Sequence, residues 1–189
     1  AANEEVGQYA VAVKMIEATA FLPVIIQMAL APAIARARVQ NRALFEDRLT
    51  NQYRLMFLLY LTTSLPLYFL AEPLITWLYG EEFRLAGHLL AIFSARLVFS
   101  YMGVAKGSFI TNESLFKFSL ITAILGAGIN IGLNALLIPT MRSNGAVWAT
   151  LVSFLVSVYL VDLFHPKTRI NFKMMTMGML TFWRIRGVK

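Results

Sequence analysis

An all-α integral membrane bundle of about five transmembrane helices, with further helices lying at the interface, is the fold class this sequence predicts. Three observations predict it. Of the 189 residues, 58% are hydrophobic and 14% are charged, whereas a soluble domain carries about 25% charged residues. Five stretches are apolar and about 20 residues or longer, the length a bilayer demands. Lys and Arg gather on alternate connections between those stretches, which makes the net charge of +7 a topology signal and not a nucleic-acid footprint.

The stretches run from about Tyr9 to Ala35, Leu55 to Ile75, Leu85 to Ile110, Phe118 to Ile138 and Ala146 to Phe164. Each is read as a helix, because an isolated span must satisfy its backbone internally. Pro23, Pro32, Pro66 and Pro73 fall inside apolar helices. Each removes a backbone donor and favours a kink. The connection Arg36–Arg54 is predicted to be helical and to lie along the membrane surface, with Ala37, Leu44, Phe45 and Leu49 on one apolar face.

That connection carries Arg36, Arg38, Arg42, Arg48 and Arg54, and residues 165–189 form a basic tail with Lys167, Arg169, Lys173, Arg184, Arg186 and Lys189. The opposite connections hold only Arg84 and Arg142. The positive-inside rule puts the Arg-rich connection and the tail in the cytoplasm. With five crossings, Ala1 then lies outside. An outside start without a signal sequence predicts upstream helices that these 189 residues lack. The tail from Phe172, with its Met residues, Phe182 and Trp183, reads as interfacial or as the start of a further span.

Charges inside the apolar stretches are the candidate functional residues. Arg96 lies in the middle of the third, where a guanidinium costs about 2.5–3.5 kcal/mol on insertion scales. Such a charge faces a cavity or an anionic cargo, or it pairs with a carboxylate. Arg96, Ser100, Gly103 and Gly107 share one stripe, with Lys106 on a neighbouring face close enough to the membrane edge to snorkel. Lys14 and Glu17, spaced i, i+3, either neutralise each other or divide the work, Glu17 exchanging a cation or proton and Lys14 meeting an anion. Asp162, at the end of the fifth stretch, reads as interfacial.

Polar and small residues mark packing seams. The fourth stretch carries Ser119, Thr122, Gly126, Asn130 and Asn134 along one side, and the fifth carries Ala146, Thr150, Ser153 and Ser157. Gly128 and Gly132 form a small-xxx-small pair that predicts close helix approach, with Asn130 and Asn134 in interhelical hydrogen bonds. Cysteine is absent, and His88 and His165 stand on different segments. A disulfide framework, a thiol nucleophile and a zinc–cysteine site are therefore excluded. No phosphate-binding glycine loop, zinc-protease helix or nucleophile elbow occurs. Neither a cofactor, a metal nor an enzymatic reaction is expected.

Three segments carry a family resemblance. The opening "NEEVGQYAVAVKMIEATAFLPVIIQMALAPAI", the loop "LITWLYGEEF" and the block "INIGLNALLIPTMRSNGAVWATLVSF" resemble the second half of Wzx-type O-antigen and exopolysaccharide flippases of the MOP superfamily. That superfamily also holds MATE drug exporters and the lipid II flippase. The last block is the most specific of the three. Residues Thr140–Asn144 depart from the family's short basic, glycine-containing turn.

The resemblance implies one bundle of a two-bundle transporter in the bacterial inner membrane. It implies movement of an undecaprenyl-pyrophosphate-linked oligosaccharide to the periplasmic leaflet through a cation-lined cavity, and other polysaccharide-assembly membrane proteins as partners. A pyrophosphate needs positive partners, and Arg can hold it bidentately. The candidate substrate residues are Arg96, then Lys14 and Lys106, with Glu17 the candidate for ion coupling. Two rivals remain. A MATE-type exporter coupled to Na⁺ or H⁺ would favour buried carboxylates. A membrane enzyme acting on lipid-linked sugars would usually carry a large extracytoplasmic loop.

Overall fold

Breaks and reversals within long helices, more than the helices themselves, shape this molecule. The computed structural model describes residues 2–185; Ala1, Arg186 and Lys189 lie outside them. Every regular element among the described residues is helical: α1 (Ala2–Glu17), α2 (Phe21–Gln40), α3 (Arg42–Tyr79), α4 (Arg84–Ser94), α5 (Leu97–Asn112), α6 (Phe116–Phe154) and α7 (Arg169–Leu180). Stretches 4–40, 42–79 and 116–163 are long and apolar enough to cross a membrane, and α4 with α5, bent by 45°, makes a fourth if taken as one span.

Pro23 ends the first helix indirectly. Its missing N–H leaves the Thr19 carbonyl without the partner an α-helix would give it. The chain tightens there into a single turn, with Thr19, Ala20 and Leu22 donating to Ile16, Glu17 and Thr19. Pro32, Pro66 and Pro73 do not act this way and sit inside unbroken helices.

The α2–α3 turn is one extended residue, Asn41, whose side chain accepts from the Ala43 N–H at 2.8 Å. This corrects the surface helix predicted for Arg36–Arg54: the segment is the end of α2 and the start of a continuous 38-residue α3. Its apolar face is real, since Ala37, Phe45 and Leu49 are buried. Glu113 ties this turn to the α5–α6 turn through ion pairs with Arg38 and Arg42.

The α4–α5 bend has a local cause. Ser64 on α3 donates to the Ser94 carbonyl at 3.1 Å, and Ala95 and Arg96 donate three residues back, to Ile92 and Phe93. A neighbouring side chain inserted into a helix ladder is a recognised source of kinks. Gly87 lets α4 lie against α3, since a Cβ there would meet the Glu72 backbone at 2.7 Å.

α6 reverses direction at Arg142 (φ 51°, ψ −131°). Gly145 permits the reversal, because a Cβ would stand 2.6 Å from the Leu137 carbonyl oxygen. The two arms run antiparallel: Gly126 packs on Ser157, and Asn130 donates to Ser153 and Thr150. Residues 116–141 and 143–163 are therefore separate arms of one hairpin. Three stretches, or four with the α4–α5 pair, are thus long and apolar enough to cross a membrane, against the five crossings predicted. The two predicted polar stripes form the seam between the arms. The small-xxx-small expectation is corrected, however: Gly128 and Gly132 are exposed, with nothing within 4 Å of an added Cβ. Gly126 and Gly145 do the close packing instead.

Beyond Phe154 the hairpin's second arm loosens into a π turn (Leu155–Tyr159) and then tightens into a 3₁₀ turn (Leu160–Leu163). α7 then packs on α3, with Gly178 against Tyr53 and Phe182 against the Phe57 ring. Phe45, Tyr53, Phe93, Tyr101 and Phe109 are fully buried, while Phe69, Trp77, Ile131 and Leu136 are largely exposed.

Candidate functional site

Two helix breaks meet around Arg96. The α1–α2 break at 18–20 and the α4–α5 break at 95–96 line one narrow cleft of about 70 Å³, with Glu17, Ala20, Pro23, Arg96 and Ser100 in its wall. Tyr101 donates across it to the Thr19 carbonyl at 3.4 Å, the carbonyl that Pro23 leaves without its usual partner. The guanidinium of Arg96 lies over the Phe93 ring at 5.7 Å and the Phe154 ring at 5.2 Å. Its Nε is buried and makes no hydrogen bond, and no ion pair reaches the side chain among the described residues. Aromatic faces offset part of the cost of such a charge, but they leave the donors of the guanidinium fork without an acceptor among the described residues. Arg96 is a half-buried cation that feels the charge of Glu17 across the cleft but has no carboxylate within ion-pair distance among the described residues.

Lys106 is the opposite case. Its ammonium donates to Asp162 Oδ1 at 2.6 Å and to the Val158 carbonyl at 3.0 Å, and lies over the Phe118 ring at 5.5 Å. Asp162 Oδ2 accepts from Asn171 at 2.8 Å, the Asp162 carbonyl accepts from Thr168 at 3.0 Å, and Tyr53 donates to Asn171 at 2.7 Å. The Lys106 and Asp162 side chains are 8% and 0% exposed. The interfacial reading of Asp162 is thereby corrected. The π and 3₁₀ turns re-aim its helix so that the carboxylate points inward. A one-residue shift in helical phase of this kind leaves no mark on hydropathy. This network joins α5, the end of the hairpin, α3 and α7.

The remaining predicted residues divide. Glu17 is exposed but shares the Arg96 cleft without forming an ion pair. Lys14 is exposed, lies outside that cleft and makes no ion pair with Glu17 among the described residues. Asn134 donates to Asn130 at 2.9 Å within the hairpin seam.

Two larger spaces flank the Arg96 cleft. Towards the α5–α6 turn, a cavity of about 400 Å³ is lined by Gly103, Lys106, Gly107, Thr111, Ser119 and Thr122. Towards the other end, a cleft of about 510 Å³ is lined by Glu5, Tyr9, Arg142 and Ser143. Tyr9 packs on Phe93 at 5.5 Å, so this cleft abuts the ring beneath Arg96. Among the described residues, no cluster of His, Asp and Glu could hold a metal ion. Comparison with protein-family models, with curated proteins and with solved structures finds no match.

Proposed function

We propose that this chain is one bundle of a MOP-like transporter that flips an anionic, lipid-linked oligosaccharide across the bacterial inner membrane by alternating access, with its basic tail in the cytoplasm. The observation that carries the reading is Arg96, an unpaired cation at the level where two helices break. Discontinuous helices at mid-membrane are a recurring way to build a transporter's site, and a diphosphate would supply the anion that Arg96 lacks. The spaces on either side of Arg96 give the cargo a path in and out. Glu17, at the rim of the same cleft, is the group placed to exchange an ion with cargo. A cation exporter fits less well, because the one fully buried carboxylate found among the described residues, that of Asp162, is already paired with Lys106.

The test is surface polysaccharide per unit of membrane-inserted protein, in cells whose only flippase is the full transporter containing this bundle. Arg96→Ala is expected to abolish transport at normal abundance, and Arg96→Lys to keep part of it, because Lys retains the charge but loses the planar fork. Normal polysaccharide from the Ala variant at normal abundance would sink the reading.

A further inference from the structure

We infer that α7 and the segments flanking it form a binding surface for anionic phospholipid headgroups. None of its residues lines the Arg96 cleft, so the surface is separate from the transport site.

Asn171, Met174, Met175 and Gly178 are buried against the bundle, so α7 presents the opposite stripe outward. That stripe carries Arg169 and Lys173 in its first two turns, and Met177 and Leu180 beyond them. Phe164 is 79% exposed before the helix and Trp183 is 65% exposed after it, accompanied by exposed Lys167 and Arg184. Residues 163–185 contain no Asp or Glu. Water alone does not suit exposed Phe, Leu and Trp together, and hydrocarbon does not suit four cations. The headgroup layer accepts both, with rings at the acyl boundary and Lys and Arg at the phosphates.

Charge sets the class of lipid. Four arginines elsewhere have carboxylate partners: Arg38 and Arg42 have Glu113, Arg84 has Glu72, and Arg142 has Glu5, whereas Arg36, exposed near the α2–α3 turn, has none among the described residues. Lys167, Lys173 and Arg184 have none among the described residues, and Arg169 donates only to the Leu163 carbonyl. Each basic residue near an anionic leaflet adds to the attraction, so four of them select a negatively charged headgroup over a zwitterionic one. The end of α3 that α7 covers, where Arg54 donates to Thr181 at 3.0 Å, is its Arg-rich end.

The experiment uses the whole chain in lipid nanodiscs, with Trp77→Phe and Trp148→Phe leaving Trp183 as the only indole. Its fluorescence is quenched by brominated phosphatidylglycerol or by brominated phosphatidylcholine at equal mole fraction. Phosphatidylglycerol is expected to quench roughly twofold more strongly, with the excess shrinking as salt rises. Replacing Lys167, Lys173 and Arg184 by Gln should abolish the excess; Arg169 is spared because it caps a carbonyl. Equal quenching by the two lipids, or an excess unchanged in the Gln variant, would overturn the inference. So would a Trp183 quenched by neither, which would mean that protein covers this face. If the Trp77→Phe background fails to insert, native mass spectrometry of the unmutated chain measures the same lipid preference. Retained phosphatidylglycerol in preference to phosphatidylcholine supports the surface, and no preference overturns it.

Discussion

Arg96 and Lys106 sit on the same bent helix pair, about three turns apart, and both are cations placed among apolar side chains. Lys106 is matched: a carboxylate, a carbonyl and an aromatic ring take up its ammonium, and the carboxylate is itself held by Asn171. Arg96 has rings beneath it and a cleft in front, which Glu17 shares without closing an ion pair. The difference separates two reasons for keeping a charge in a membrane protein. A charge with its counter-charge in the fold holds elements together. A charge without one fits the cargo-binding role proposed above.

The contrast is most exposed to test at Lys106. Lys106→Ala leaves the Asp162 carboxylate buried and unpaired, an error worth about 3–5 kcal/mol. The thermal midpoint of the purified protein in detergent should drop sharply, and its abundance in the membrane with it. The double variant Lys106→Met, Asp162→Asn removes both charges and should lose much less than the two single changes added together. Additive losses would mean that the pair is not the unit described.

A smaller effect is expected one bond further along. Tyr53→Phe removes the donor to Asn171, leaving a buried amide oxygen unmatched, at about 1–3 kcal/mol. The same melting measurement should show a loss below that of Lys106→Ala. A loss as large would move the centre of the network from the ion pair to the tyrosine.

The smallest effect is expected at Arg96. Arg96→Met removes a half-buried charge and leaves no carboxylate unpaired, so the melting point should not fall as it does for Lys106→Ala. A fall like that of Lys106→Ala would show that Arg96 has a carboxylate after all, and the contrast between the two cations would collapse.

Much of the helical layout was legible because it rests on composition. The apolar stretches follow from composition and length, and the apolar face of Phe45 and Leu49 and the two polar stripes that became the hairpin seam follow from periodicity. What stayed hidden depends on helix phase. Asp162 reads as a boundary residue until the π and 3₁₀ turns rotate it inward. Gly128 and Gly132 have the spacing of a packing pair, but the antiparallel register of the hairpin turns Gly126 to the seam instead. The four prolines looked equivalent. Only Pro23 coincides with a break, where the Tyr101 hydroxyl joins the Leu22 N–H on the Thr19 carbonyl that Pro23 cannot reach. Arg96 stood out because its cost is visible in sequence; its lack of a partner is not.

On the membrane reading proposed above, the reversal at Arg142 also bears on how the chain enters the bilayer. Asn130 and Asn134 would be poor company for lipid if the first arm of α6 were released alone, since an unmatched polar group in hydrocarbon costs several kcal/mol. The Asn130 partners Thr150 and Ser153 arrive only with the second arm. The two arms are therefore best delivered together, as a hairpin whose seam has already closed. The tight turn at Arg142 and Gly145 keeps the second arm within reach while the first is still waiting. In this way a turn that looks like a detail of geometry becomes a matter of timing during biogenesis.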